Sequence, residues 1–239
     1  MRSVAACLAI ALFVSCAGIA LTDIRTPLPV PDGSCLVVGF LGGRDRWDDE
    51  TKGVRQLAQK LSDPSANVHA ETFENRRRDV ALEFVERARR GRQGIRLVVY
   101  GQSFGGAAVV KLARELGARD ISVDLTVQVD SVGRGDGRIP PNVRYAANFY
   151  QDNGWFLEGE HPIVAEEPSR TVVLANVRLD YDSPPGKDIS LSGVPWYKLA
   201  FRVAHARMDR DPRVWSAVER LVRTACAGEL HPDVLLPAK

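Results

Sequence analysis

Ser103 stands in the run Gly101-Gln102-Ser103-Phe104-Gly105, a G-x-S-x-G spacing. The apolar run Ile95 to Tyr100 leads into it, and Ala107 to Leu116 continues with helical character until Gly117 stops it. A chain that turns from strand to helix in about one residue strains the serine and lifts its hydroxyl out of the sheet. The flanking glycines leave room where a Cβ would strike the neighbouring strand and helix. The start of the helix adds backbone N–H groups and the positive end of a dipole beneath the reacting oxygen. Such a serine is suited to attack a carbonyl carbon once a base takes its proton. A glycine-rich phosphate cradle is the rival reading, but the run lacks the P-loop lysine and is not G-x-G-x-x-G.

The elements that must position Ser103 are legible on both sides of it. Cys35 to Phe40 is a short apolar run, as in a strand buried on both faces. Asn67 to Phe73, Ile95 to Tyr100, Ile121 to Val129, Val143 to Tyr150 and Thr171 to Val177 read as further strands. Between them, Asp49 to Leu61 and Arg78 to Arg90 carry apolar residues at helical spacing, and a last helix is expected from Pro212 to Cys226. Strands alternating with helices predict an α/β fold, a three-layer sandwich around a mostly parallel sheet. Two long connections, Asn153 to Ser169 and Asp180 to Trp196, are candidate binding loops.

Composition narrows the class. The 239 residues are 45% hydrophobic and 26% charged, which excludes a disordered chain, a coiled coil and a collagen-like rod. A net charge of +2 gives no reason to expect a nucleic-acid partner. No metal-binding pattern such as HExxH, CxxC or an EF-hand loop occurs, so neither a metal nor a cofactor is expected. The arginines at 76–78, 87, 89, 90 and 92 read as a solvated face, with contact to anionic lipid as the alternative.

The first 20 residues read as a signal peptide: Arg2, then an apolar run from Val4 to Val14. That run falls well short of the ~20 residues a membrane-spanning helix needs. Phe13-Val14-Ser15-Cys16-Ala17 resembles a bacterial lipobox, which makes Cys16 the lipidation candidate; ordinary cleavage near Ala20 is the alternative. The expected organisation is a leader over 1–20, an extended linker over 21–34, one domain over 35–228 and a tail over 229–239. Export to the periplasm or outer envelope follows, with membrane attachment through the N-terminus if Cys16 is lipidated. An oxidising compartment permits a Cys35–Cys226 disulfide; two buried free thiols are the alternative.

From Cys35 to Val222 the chain resembles the α/β-hydrolase superfamily, of the lipase and esterase kind. Gly39-Phe40-Leu41-Gly42-Gly43 is similar to that family's oxyanion loop, with Val38 where a histidine is usual. The resemblance implies oxyanion donors at the N–H of Phe40, or Leu41, and of Phe104. Of the four histidines, His205 lies where the family holds its catalytic base, ahead of the last helix, in a stretch resembling H-x-x-x-D-x-D-P-x-V-W. The acid must fall between serine and histidine in the chain. Asp130, at the end of the Leu125–Val129 run, is the first choice, and Asp152 the alternative; Asp180 and Asp182 remain behind them. Asp211, before Pro212, reads as a helix cap. The implied activity is hydrolysis of a carboxylic ester or thioester, the substrate being a small or lipid-like acyl ester. Thioesterase, peptidase and acyltransferase chemistry are the alternatives within catalysis, and a non-catalytic envelope-binding protein is the alternative outside it.

Overall fold

The computed structural model describes residues 18–153, 159, 162–194, 196–199 and 202–232. Six strands form one all-parallel sheet in the order β2-β1-β3-β4-β6-β8. They are β1 (Cys35–Leu41), β2 (Val68–Glu74), β3 (Arg96–Gln102), β4 (Val123–Val129), β6 (Val143–Tyr150) and β8 (Val172–Arg178). The helices α1 (Gly53–Leu61), α2 (Arg78–Arg89), α3 (Phe104–Gly117) and α6 (Pro212–Ala227) cover the sheet. This is the three-layer α/β sandwich that the alternation of elements predicts.

The strands are buried on both faces, and the period of two sorts their side chains into two cores. On β1, Cys35, Val37 and Leu41 face a cluster with Val54, Leu57, Val218 and Leu221 of α1 and α6. Leu36, Val38 and Phe40 face the opposite cluster with Phe84 of α2 and Val109 and Leu112 of α3. Tyr100, fully buried in the α1 side, donates its hydroxyl to the Val54 carbonyl at 2.7 Å. Burial pushes that phenol's pKa far above its ordinary value.

Several expectations shift on inspection. The helix expected from Asp49 starts at Gly53, because Asp49 instead caps a turn through Thr51. The helix after the elbow begins earlier, at Phe104. The segment 21–34 is not simply extended: it opens with a short 3-10 turn at Leu21–Asp23. Glu71 of β2 accepts from the backbone of Arg25 and Thr26, and Val30 is buried in the α2-side core together with Ile19. Two further short strands, β5 (Arg138–Ile139) and β7 (Val164–Ala165), make a separate parallel pair. Helix α4 (Trp196–Leu199) and α5 (Val203–Asp209) precede α6. Asp211 caps α6 as expected, accepting from Arg213 N at 2.9 Å with Pro212 next in the chain.

The order of strands sets the place of the site. From β1 the chain goes to β2 on one side and then to β3 on the other. At such a switch point the connections leave in opposite directions and open a crevice at the carboxyl ends of the two strands. The loop after β1 and the elbow after β3 meet there.

Candidate active site

Ser103 sits between β3 and α3 with φ 59° and ψ −129°, a left-handed conformation that costs a non-glycine residue about 1–3 kcal/mol. Its backbone is over-determined. Its N–H donates to the Val129 carbonyl at 3.0 Å, and its carbonyl accepts from Gly106 at 2.9 Å and Val132 at 3.1 Å. Two glycines make the turn sterically feasible. A Cβ on Gly105 would lie 2.1 Å from the Phe40 carbonyl oxygen, and one on Gly101 would lie 2.5 Å from the Gly105 oxygen. The spacing G-x-S-x-G therefore reflects helix α3 pressed onto β1 and β3.

Asp130 follows β4 directly, is fully buried, and also has a left-handed backbone, with φ 45°. Its Oδ2 is 2.6 Å from His205 Nδ1. Gln151 Nε2 reaches both carboxylate oxygens, at 3.3 and 3.2 Å. A Cβ on Gly159 would lie 2.3 Å from Asp130 Oδ1, so the chain passes close over this carboxylate. His205 is carried by α5, not by a loop. With the carboxylate accepting from Nδ1–H, Nε2 is the free base, and Gln102 Nε2 donates to it at 3.2 Å. No hydrogen bond joins Ser103 Oγ to His205 among the described residues. For Nε2 to take a proton from Ser103 it would have to exchange Gln102 for the serine hydroxyl, a tightening that catalytic hydrogen bonds commonly undergo when substrate binds.

Asp152 is elsewhere. Its Oδ2 accepts from Arg178 Nε at 2.7 Å across the ends of β6 and β8. Asp180 and Asp182 bond Asn153, and Asp180 also takes the Ser183 hydroxyl. Of the acids weighed from sequence, the tertiary structure brings Asp130 to His205. His69 lies buried in β2, where burial holds its imidazole below its ordinary pKa against the opposing charge of Glu71. His161, one of the four histidines, and Cys16 fall outside the described residues.

Phe40 is placed differently from what an oxyanion donor needs. It is in register with Phe73 of β2 and Gly101 of β3, so its amide belongs to the sheet ladder. The loop residue packed on Ser103 is Gly42, where a Cβ would lie 2.8 Å from the serine Cβ. Asn75 donates to the carbonyls of Leu41 and Gly43, at 3.1 and 2.7 Å, and holds this loop in place. Phe104 heads α3, so its N–H has no intrahelical acceptor.

A charged group backs the histidine. Lys52 lies 2.9 Å from Asp45 and 3.7 Å from Asp209, which is one helical turn beyond His205. Burial holds the Asp209 carboxyl above its usual range, with Lys52 acting against that shift. Burial also works against the Lys52 ammonium, yet Asp209 and Asp45 outweigh it and raise its pKa. Asp45 N bonds the Gly42 carbonyl at 3.0 Å, so one lysine ties the loop after β1 to the helix that carries His205. Sequence reasoning placed Gly42 in the oxyanion loop but missed Gln102, Gln151 and Lys52. Only the short spacing from His205 to Asp209 hinted at the last of these contacts.

Among the described residues, no cluster of three or more His, Cys, Asp or Glu could hold a metal ion. No helix among them is long and apolar enough to cross a membrane. No protein family's sequence profile matches the chain, and no curated protein matches it in sequence. Among solved structures, a cutinase-like protein from Cryptococcus sp. is similar at 11% identity, over 83% of this chain and 97% of that one, with a TM-score of 0.36. At that distance the likeness carries no chemistry, which rests instead on the side chains around Ser103.

Proposed function

We propose that the chain is a serine hydrolase of the α/β-hydrolase kind that cleaves a carboxylic ester or thioester through an acyl-enzyme. The observation that carries this reading is the Asp130–His205 pair, 2.6 Å apart with the carboxylate fully buried, set against a strained strand-to-helix elbow that presents Ser103. Asp130 fixes the Nδ1–H tautomer of His205 and stabilises the imidazolium that forms. His205 Nε2 takes the Ser103 proton as the hydroxyl oxygen bonds to the acyl carbon. The carbonyl oxygen becomes an oxyanion, held by the N–H of Phe104 and by the loop amide at Gly42, in place of Phe40. His205 returns the proton to the leaving alcohol or thiol, and water then repeats the sequence to release the acid. One such amide donor is typically worth ~10²–10³ in turnover.

In this reading the enzyme is exported and meets its substrate in the envelope, with Cys16 as the lipid attachment point if the leader is of the lipoprotein type. The test is labelling of the purified chain by a fluorophosphonate, beside Ser103→Ala and His205→Ala. Labelling of the wild type and of neither variant is expected. A folded wild type that stays unlabelled, while still binding envelope components, would favour a binding protein on the same fold.

A further inference from the structure

We infer that the groove running from Phe104 along α3 is a subsite for an anionic group at the far end of the substrate. The inference rests on Ser103 being the nucleophile, since the groove starts one residue beyond it. Its volume is about 460 Å³. Phe104, Ala107, Ala108 and Lys111 share one face of α3 at helical spacing and form its floor. Asn75 and Arg78 form one wall, and the loop Val132 to Arg134 forms the other. The same Asn75 holds the loop carbonyls of Leu41 and Gly43, so the groove is continuous with the loop that packs on Ser103.

Two observations point to a ligand. The Phe104 ring is 48% exposed at the head of the groove, an apolar surface left in water beside the reacting serine. Beyond it, three cations and no carboxylate line the walls. Arg78 is paired with Glu115 at 3.3 Å. Asp79 is taken by Arg77, and Asp136 is buried against Ser131. Lys111 and Arg134 have no ion pair among the described residues and both are exposed. A ligand with an apolar stem and an anionic end matches this order of surfaces. Seven residues of α3 separate Phe104 from Lys111, a reach of about 10 Å, on the order of eight carbons of extended chain. The substrate class is therefore an acyl ester whose chain ends in a carboxylate or phosphate. The cavity of about 620 Å³ between α1 and α6 has the carboxylates of Glu50, Asp209 and Glu219 in its wall, so it does not compete for this role.

The experiment uses nitrophenyl half-esters of dicarboxylic acids with four to ten carbons, each beside the neutral monoacid ester of equal length. The expected result is a ratio of kcat/KM, charged over neutral, that peaks near eight carbons. In Lys111→Ala/Arg134→Ala the ratio falls about tenfold, as it does in wild type near 1 M salt, where screening acts within ~3 Å. Arg92→Ala, at the opposite end of β3, keeps the ratio. A second readout needs no catalysis: calorimetric binding of octanedioic acid monomethyl ester to Ser103→Ala, weakened about tenfold by the same two substitutions. If binding behaves so while no ester turns over, the nucleophile assignment falls and the subsite stands. A ratio insensitive to the two cations, together with binding insensitive to them, overturns the subsite. So does capture of wild type by anionic-lipid vesicles with no preference among soluble esters, which would assign the cations to a membrane surface. Replacing the carboxylate by a phosphate of equal reach tells which anion is preferred.

Discussion

His205 has two neighbours that decide what it can do. Asp130 is fully buried and has Gln151 as a second partner, so its carboxylate is held in one orientation toward Nδ1. Asp130→Asn is expected to lower turnover by about 10⁴, the size seen when a triad acid is neutralised and the wrong tautomer prevails. Asp152→Asn, which weakens the half-exposed pair with Arg178, is expected to stay within about twofold on an activated ester. The opposite ranking would move the acid. Gln102 occupies Nε2, the atom that receives the serine proton in the proposed mechanism. A neutral hydrogen bond is worth about 0.5–1.5 kcal/mol net, so Gln102→Ala should speed fluorophosphonate labelling by a few-fold up to about tenfold. Slower labelling would mean that Gln102 aligns the ring and does not compete for it. The serine motif and His205 were legible in the residues, with Asp130 as the first of four candidate acids. The amide at His205 was not, because a glutamine between Gly101 and Ser103 gives no sign of where its side chain turns.

Among the elements, the strands were the most legible, since burial on both faces leaves short apolar runs such as Cys35 to Leu41. Helix α5 was not, because Val203–Asp209 offers two buried side chains and no capping side chain. Its helical form comes from burial of Ala204 and Met208 in the core on the α1 side, from packing against the turn Gly186–Asp188 and from the Lys52–Asp209 contact. Edge strand β2 yields a pH prediction. His69 is buried there, with Nε2 lacking a hydrogen-bond partner, and burial depresses its pKa below 6.5. The unfolded chain therefore binds the proton more readily than the native one. The stability this group contributes is present above pH 6.5 and is lost as pH falls from there through the folded pKa. His69→Leu should shrink the loss of stability between about pH 7.5 and pH 5.5, measured by urea unfolding at each pH. An undiminished loss would assign the pH dependence to other groups.

At the scale of the whole molecule, a Cys35–Cys226 disulfide joins the first residue of β1 to the end of α6, with Cα atoms 5.3 Å apart and a sequence separation of 191. In the chain-entropy model a loop that long stabilises by up to about 5 kcal/mol, with measured gains often smaller. Reduction, or Cys35→Ala/Cys226→Ala, should lower the melting temperature by well over 5 °C while fluorophosphonate labelling at 25 °C persists, because the bridge lies at the end of the sheet away from Ser103. An unchanged melting temperature would mean that the thiols are not joined in the protein. The sequence by itself determined the α/β class, the strand-to-helix elbow and the place of the candidate nucleophile on it, since each depends on residues within a few positions of one another. Tertiary structure decided which aspartate meets His205, which side chain fills its other nitrogen, that Gly42 and not Phe40 lies against Ser103, and that Lys111 and Arg134 share a groove. Those contacts join residues 75 and 103 positions apart, or depend on where a ladder ends. Strand order and loop path set such distances, and neither can be read from local spacing.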